Sequence, residues 1–188
     1  MPLADKLGFR ILALDLSLNG TGLASYDHEV AFSTLHPPKT AKDGMPRMHW
    51  ILEEIRATVS KLRPFVVVME EMAFAAHDRG HERAGLAFLV RYFLWTCKIP
   101  YVLVAPTTLK KFTSGSGKAE KSMMILEVFK RWGYSAKNDN EADALSLLRI
   151  GMVLTGKYEP ENKAQKEVLA LICKNNPEVL KACSTKSK

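Results

Sequence analysis

Cysteine is scarce in this chain of 188 residues: Cys97, Cys173 and Cys183 are odd in number and lack the spacing of a thiolate metal site. That excludes a disulfide-stapled scaffold and a cysteine-zinc module, and a reduced, intracellular protein fits best. Long apolar runs are missing too. None is long enough to cross a bilayer, and the opening MPLADKLGF lacks the apolar core of a signal peptide, so a soluble cytoplasmic protein is expected. Internal repeats and domain linkers are absent, which excludes a solenoid or a tandem array. Negative charge is the last shortage. Asp and Glu number 20 against 27 Lys and Arg, a formal charge of +7 that favours an anionic partner, nucleic acid being the usual candidate. What remains is an ordinary globular composition, 47% hydrophobic and 25% charged, in a length that suits one domain with a real core.

The apolar pattern divides the chain into an α/β protein. FRILALDL (9–16) predicts a strand, GLASYD (22–27) its partner after a tight Asn-Gly turn, and VAFSTL (30–35) a third strand. Met48, Ile51, Leu52, Ile55, Val59 and Leu62 recur at helical spacing, and Pro64 stops that helix. FVVVM (65–69) reads as a strand covered on both faces and ends in Glu70-Glu71. A long, mostly apolar helix follows over 81–98, with Cys97 in its apolar context, then a buried strand over 101–106. TTLKKFTSGSGKAEK is expected as a polar, basic connection to a helix over 122–132. The next helix runs over 138–154, starting at Asn138 or Asp139, and beyond Gly156 the tail is short helical stretches and Lys-rich polar residues. The sum is a mixed five-stranded sheet, an antiparallel three-strand meander plus two parallel strands, flanked by helices.

In that layout three acids stand at element ends. Asp15 closes the first strand, Glu70 the fourth, and Asp143 sits about one turn into a late helix. Parallel strands of an α/β sheet bring their carboxyl ends to one edge, where sites form. Carboxylates gathered there raise one another's pKa unless a cation lies between them. An all-oxygen donor set suits magnesium or manganese rather than zinc. Two such ions roughly 3.5–4 Å apart can activate a water and stabilise a leaving oxygen in phosphodiester hydrolysis. Around Asp143, the residues Asp139 and Asn140 share its helical face and are further candidate ligands, while Glu141 points away. Asn138 and Glu141 have capping-box spacing, which gives Glu141 a structural job. Lys110, Lys111, Lys118 and Lys121 line one stretch with two glycines, which let backbone N–H groups approach phosphate.

Four motifs in order, ILALDLSLNGTG, VVVMEEMAF, APTTLKKFTSGSGKAEKS and NEADALSLL, resemble the RuvC-like Holliday-junction resolvases of the ribonuclease H-like superfamily, in a short form typical of phages. The resemblance spans roughly residues 9–155, leaving 156–188 as a helical, Lys-rich extension of one ribonuclease H-like nuclease domain. Gly115-x-Gly117-x-Ala119-x-Lys121 after a Pro-headed strand end is its most specific part. It implies Asp15, Glu70 and Asp143 as acidic metal ligands, Lys121 as the active-site lysine, and Lys110 or Lys111 as a second basic position. It also implies a homodimer acting on a four-way DNA junction, in a bacterial or phage-infected cell. Two positions depart from the family pattern. Asn140 stands where an acid or His is usual, and Phe74 matches the aromatic wedge only one residue out of place. The loop carrying Phe74, His77, Arg79 and His81 would face the DNA, and the broad apolar helix 81–98 would supply the dimer contact.

Rival functions weigh less. DLSLNGTG also resembles the phosphate loop of actin-like sugar kinases, but that fold needs two such domains and the chain is too short for both. A non-catalytic DNA-binding module of the same fold would be expected to have lost its acids. A ribonuclease H proper, or a broader debranching nuclease, is the nearest competitor.

Overall fold

A computed structural model describes residues 9–72 and 80–177. The elements are β1 (Ile11–Asp15), β2 (Thr21–Asp27), β3 (Glu29–Leu35), α1 (Met45–Leu62), β4 (Val66–Glu70), α2 (Gly80–Thr96), β5 (Tyr101–Val104), α3 (Pro106–Ser114), α4 (Lys121–Trp132), α5 (Asp139–Leu154) and α6 (Lys163–Asn175). One sheet has the order β3-β2-β1-β4-β5. β1, β2 and β3 pair antiparallel, whereas β4 runs parallel to both β1 and β5. The expected mixed sheet is present.

Strand alternation sorts the core into two layers. Ile11, Ala13, Val66, Val68, Val102 and Val104 turn to the face covered by α3, α4, α5 and α6, meeting Phe112, Met124, Leu145, Leu148 and Val168. Leu12, Leu14, Val67 and Met69 turn to the opposite face, against Ile51, Ile55 and Val59 of α1 and Leu86, Val90 and Leu94 of α2. β1 is therefore buried along its whole length. Its apolar run has no polar face because neither side meets water.

Four expectations change. The stretch 107–121 is not all connection: α3 occupies its first half. Pro106 sits at the helix start, Leu109 and Phe112 are buried three apart, and Gly115 ends the helix with φ 84. Apolar anchors at helical spacing outweighed the polar residues between them. The Asn-Gly pair makes no two-residue hairpin either. Neither Asn19 nor Gly20 has a positive φ, and residues 16–20 form a longer loop that buries Leu16 and Leu18. Thr21 Oγ1 braces that loop, donating to the Ser17 carbonyl at 2.8 Å. The tail folds into α6, a 13-residue helix whose Val168 and Ile172 join the core. Cys97 lies just past α2 and is exposed.

Candidate active site

Alternation also aims the first two carboxylates. Asp15 continues the Ile11, Ala13 series and Glu70 the Val66, Val68 series, so both leave the sheet on the face that α5 covers. Leu14 lies opposite Met69 in the parallel pair, and the same offset sets Asp15 beside Glu70 at the carboxyl edge. Asp143 comes from the second turn of α5. Its approach depends on a missing side chain. Gly22 is the β2 partner of Asp15, and a Cβ there would stand 2.0 Å from the Asn140 carbonyl oxygen. Only glycine lets the first turn of α5 press onto the sheet at this point.

The three acids sit where charge is costly. Asp15 is 7% exposed, and burial first, then Glu70, pushes its carboxyl up to about 7. Glu70 is raised to about 7 by burial and then by Asp143. Asp143 is raised to about 7 by burial, then by Asp15 and Asp139. Cations oppose this: Arg83 and Lys121 act on Asp15, Arg83 and Lys110 on Glu70, and Lys110 and Lys121 on Asp143. Such a set is unfavourable for the fold alone and favourable for binding a hard cation. The donors are all oxygens, which fits magnesium or manganese. Among the described residues no three His, Cys, Asp or Glu side chains stand, as placed, close enough together to hold a metal ion.

The start of α5 separates three neighbouring candidates. The Asn138 side chain caps the helix, accepting from the Glu141 N–H at 2.9 Å. Glu141 is buried and its carboxylate accepts from the Lys137 N–H at 2.8 Å and, at 3.5 Å, from the Thr34 hydroxyl on β3. Its oxygens serve the helix end, not the site. Asp139 accepts from Lys121, an ion pair whose hydrogen bond holds the Asp139 carboxyl below the usual range. The Lys121 side chain is 80% exposed, and Asp139 steadies it at the edge of the acid group. Asn140 lines the cleft beside the site.

The basic residues also divide. Lys110 lies close enough to lower both Glu70 and Asp143. Lys111, one position on, turns away and donates to Glu167 of α6 at 2.8 Å. Lys118 is exposed in the loop before α4. Phe74, His77 and Arg79 lie outside the described residues, and His81 is exposed in the first turn of α2.

No protein-family model matches the chain. The solved structures are more telling. RuvC of T. thermophilus in complex with a Holliday junction substrate superposes with a TM-score of 0.61 at 17% identity, over 74% of this chain and 90% of that one. A second Thermus thermophilus RuvC structure gives 0.58 at 19% identity, over 76% and 96%. The fold is that of RuvC. The yeast mitochondrial Holliday junction resolvase Ydc2 matches at 0.54 and 14% identity over 93% of this chain and 84% of that one. Nearly all of each RuvC chain therefore finds a counterpart here.

Within this RuvC fold, two arginines that no motif marks also belong to the site's surroundings. A cleft of about 270 Å³ opens beside the acids, lined by Ser17, Asn19, Arg47, Arg83, Lys121 and Asn140 among others. Arg47 shapes its wall, donating to Asn19 at 2.9 Å and pairing with Asp43 at 2.6 Å. Arg83 reaches it from the first turn of α2. The only sequence signal for Arg83 is its spacing: it lies three and four positions before the buried Leu86 and Ala87, on the same helical face.

Proposed function

We propose that the chain is a divalent-metal-dependent endonuclease that resolves four-way DNA junctions. The observation that carries this reading is the convergence of Asp15, Glu70 and Asp143, each held near pKa 7 at one edge of a RuvC fold. Structures of that fold have been solved with Holliday junction substrate, which supports branched DNA as the partner here. The basic balance of the sequence agrees.

Asp15, Glu70 and Asp143 would hold magnesium or manganese, two ions per site, with Asp139 and Asn140 at the margin. When bound, the ions supply an activated water and charge for the leaving oxygen of a phosphodiester. The protein's own contribution is positioning and electrostatics. Lys121, steadied by Asp139, meets charge that develops on the phosphate, and Lys110 offsets the Glu70 and Asp143 carboxylates. Lys118 adds a salt-dependent contact to the DNA backbone. Residues 9–155 form the nuclease domain, in a short form of the phage type, and α6 tethers the extension through Lys111–Glu167.

A homodimer completes the reading, because two symmetric incisions need two sites in fixed relation. On α2, Phe88, Tyr92 and Trp95 are 53%, 66% and 69% exposed at helical spacing, and the last two stack with centroids 6.1 Å apart. An aromatic stripe of this kind is the natural contact between copies. The deciding experiment incubates the protein with magnesium or manganese on labelled four-way, three-way, flap and linear DNA and on RNA–DNA hybrid. Selective cutting of the four-way substrate is expected. Equal cutting of flaps and three-way junctions would make it a debranching nuclease, and cutting of the hybrid alone a ribonuclease H.

A further inference from the structure

Arg83 lines the cleft together with the charged residues Asp43, Arg47, Glu82 and Lys121. The buried stripe of α2 runs through Leu86, Ala87, Val90 and Leu94, and Arg83 continues it one turn toward the helix start. Its side chain therefore leaves the core at the carboxyl edge of the sheet. There it comes within coulombic reach of both Asp15 and Glu70. Its Nε is buried, yet has no hydrogen-bond partner among the described residues. That atom is closed to the cleft, so what Arg83 offers there is the remainder of its planar guanidinium, a fork that suits an oxyanion.

The rest of the cleft defines what that ligand is. Arg47 and Asp43 satisfy each other at 2.6 Å, and Lys121 rests on Asp139. Glu82 lies near the rim, where a Cβ on Gly44 would stand 3.8 Å from its Oε1. Ser17, Asn19 and Asn140 supply neutral donors and acceptors. At about 270 Å³ the cleft is near the small end of ligand pockets, too small for a duplex and suited to one nucleotide unit. A planar guanidinium beside such a pocket matches a phosphate diester, which accepts two parallel N–H bonds.

The geometry points to this cleft as the seat of the nucleotide next to the scissile bond, with Arg83 binding its flanking phosphate. This rests on the nuclease reading above and adds to it a subsite and a cation. The seated strand fixes the scissile phosphate against the acids, so Arg83 acts on position as well as affinity.

Arg83→Gln should lower the single-turnover rate on saturating four-way junction about 10–100-fold, and Arg83→Lys should recover part of it. A neutral methylphosphonate at the flanking phosphate should slow the wild type by a similar factor and slow Arg83→Gln no further. If instead the two effects multiply at both flanking phosphates, Arg83 acts only on the carboxylates and the proposal is overturned. A second readout does not need cleavage. Titration with a 5′-phosphorylated thymidine dinucleotide, followed by NMR, should shift the Arg83 Nε–H and Asn19 signals, and the Arg83→Gln variant should bind more weakly. No shift at either residue overturns the subsite, even in a protein that cuts junctions. A wild type that shifts but cuts no nucleic acid with either metal refutes the nuclease reading separately.

Discussion

Replacing Asp15 by Asn should make the metal-free protein more stable, by an amount that depends on pH. Asp15 has a folded pKa of about 7 against 3.8 for the free side chain. Between these values the folded state keeps a proton that the unfolded state has lost, so this group's contribution falls as pH rises from about 4 to about 7 and is level above. The gap of about three units corresponds to a ceiling of roughly 4 kcal/mol at pH 8, at 1.36 kcal/mol per unit. Asn removes the charge but leaves a buried amide short of partners, which costs back about 1–3 kcal/mol. The net gain is about 2 kcal/mol. In a protein of this size that is roughly 4–8 °C in Tm. Calorimetric melts of both proteins from pH 4 to 8, with metal chelated, measure it. The advantage of Asp15→Asn should be largest at pH 8 and shrink toward pH 4. Adding magnesium at pH 8 should then raise the wild-type Tm and leave the variant's in place, because only the carboxylate set binds the ion. A variant no more stable than wild type at pH 8, or equally advantaged at pH 4, would show that Asp15 is not held against its charge.

Gly22→Ala should separate α5 from the sheet, costing about 1–3 kcal/mol in a denaturant melt and most of the cleavage rate, since the new Cβ would meet the Asn140 carbonyl at 2.0 Å. Lys121→Ala should lower single-turnover cleavage about 100-fold with junction affinity little changed, and Asp139→Asn by less; a wild-type rate for Lys121→Ala would remove Lys121 from the chemistry. Glu141→Ala should cost about 1–2 kcal/mol by stripping the Lys137 N–H of its acceptor, while the folded fraction still cuts. An inactive but stably folded Glu141→Ala would make Glu141 a ligand. Trp95→Glu should yield a monomer in sedimentation, and a dimer that persists would move the interface off α2.

The sheet was legible because β1, β4 and β5 are short apolar runs ended by punctuation, and Asp15 and Glu70 terminate theirs. The cap at Asn138 was legible too, since a helix start is a local affair settled within four residues. α3 was not, because Lys110, Lys111 and three Thr residues disguise a helix whose apolar anchors are Leu109 and Phe112. The choice between Lys110 and Lys111 was also out of reach. It turns on Glu167, a partner 56 residues further on. Gly22 opens the expected second strand, and nothing in the sequence explains a glycine there. Its reason is the helix that lands on it from residue 140, and no local pattern reports that landing.

The order in which the chain emerges gives α5 a further consequence. β1 and β4, with their two acids, are made well before Asp143. Until α5 arrives, Ile11, Ala13, Val66 and Val68 have no complete cover, and Gly22 faces an empty groove. A chain under synthesis thus carries two thirds of its acidic trio and none of the assembled edge. On the reading above, it is inert toward DNA until its core closes, because one helix both seals the apolar face and delivers the last carboxylate. The same coupling acts in reverse during breakdown. On the same reading, a copy that loosens α5 would lose its cutting edge in the motion that bares its apolar sheet face, leaving no damaged but still active nuclease.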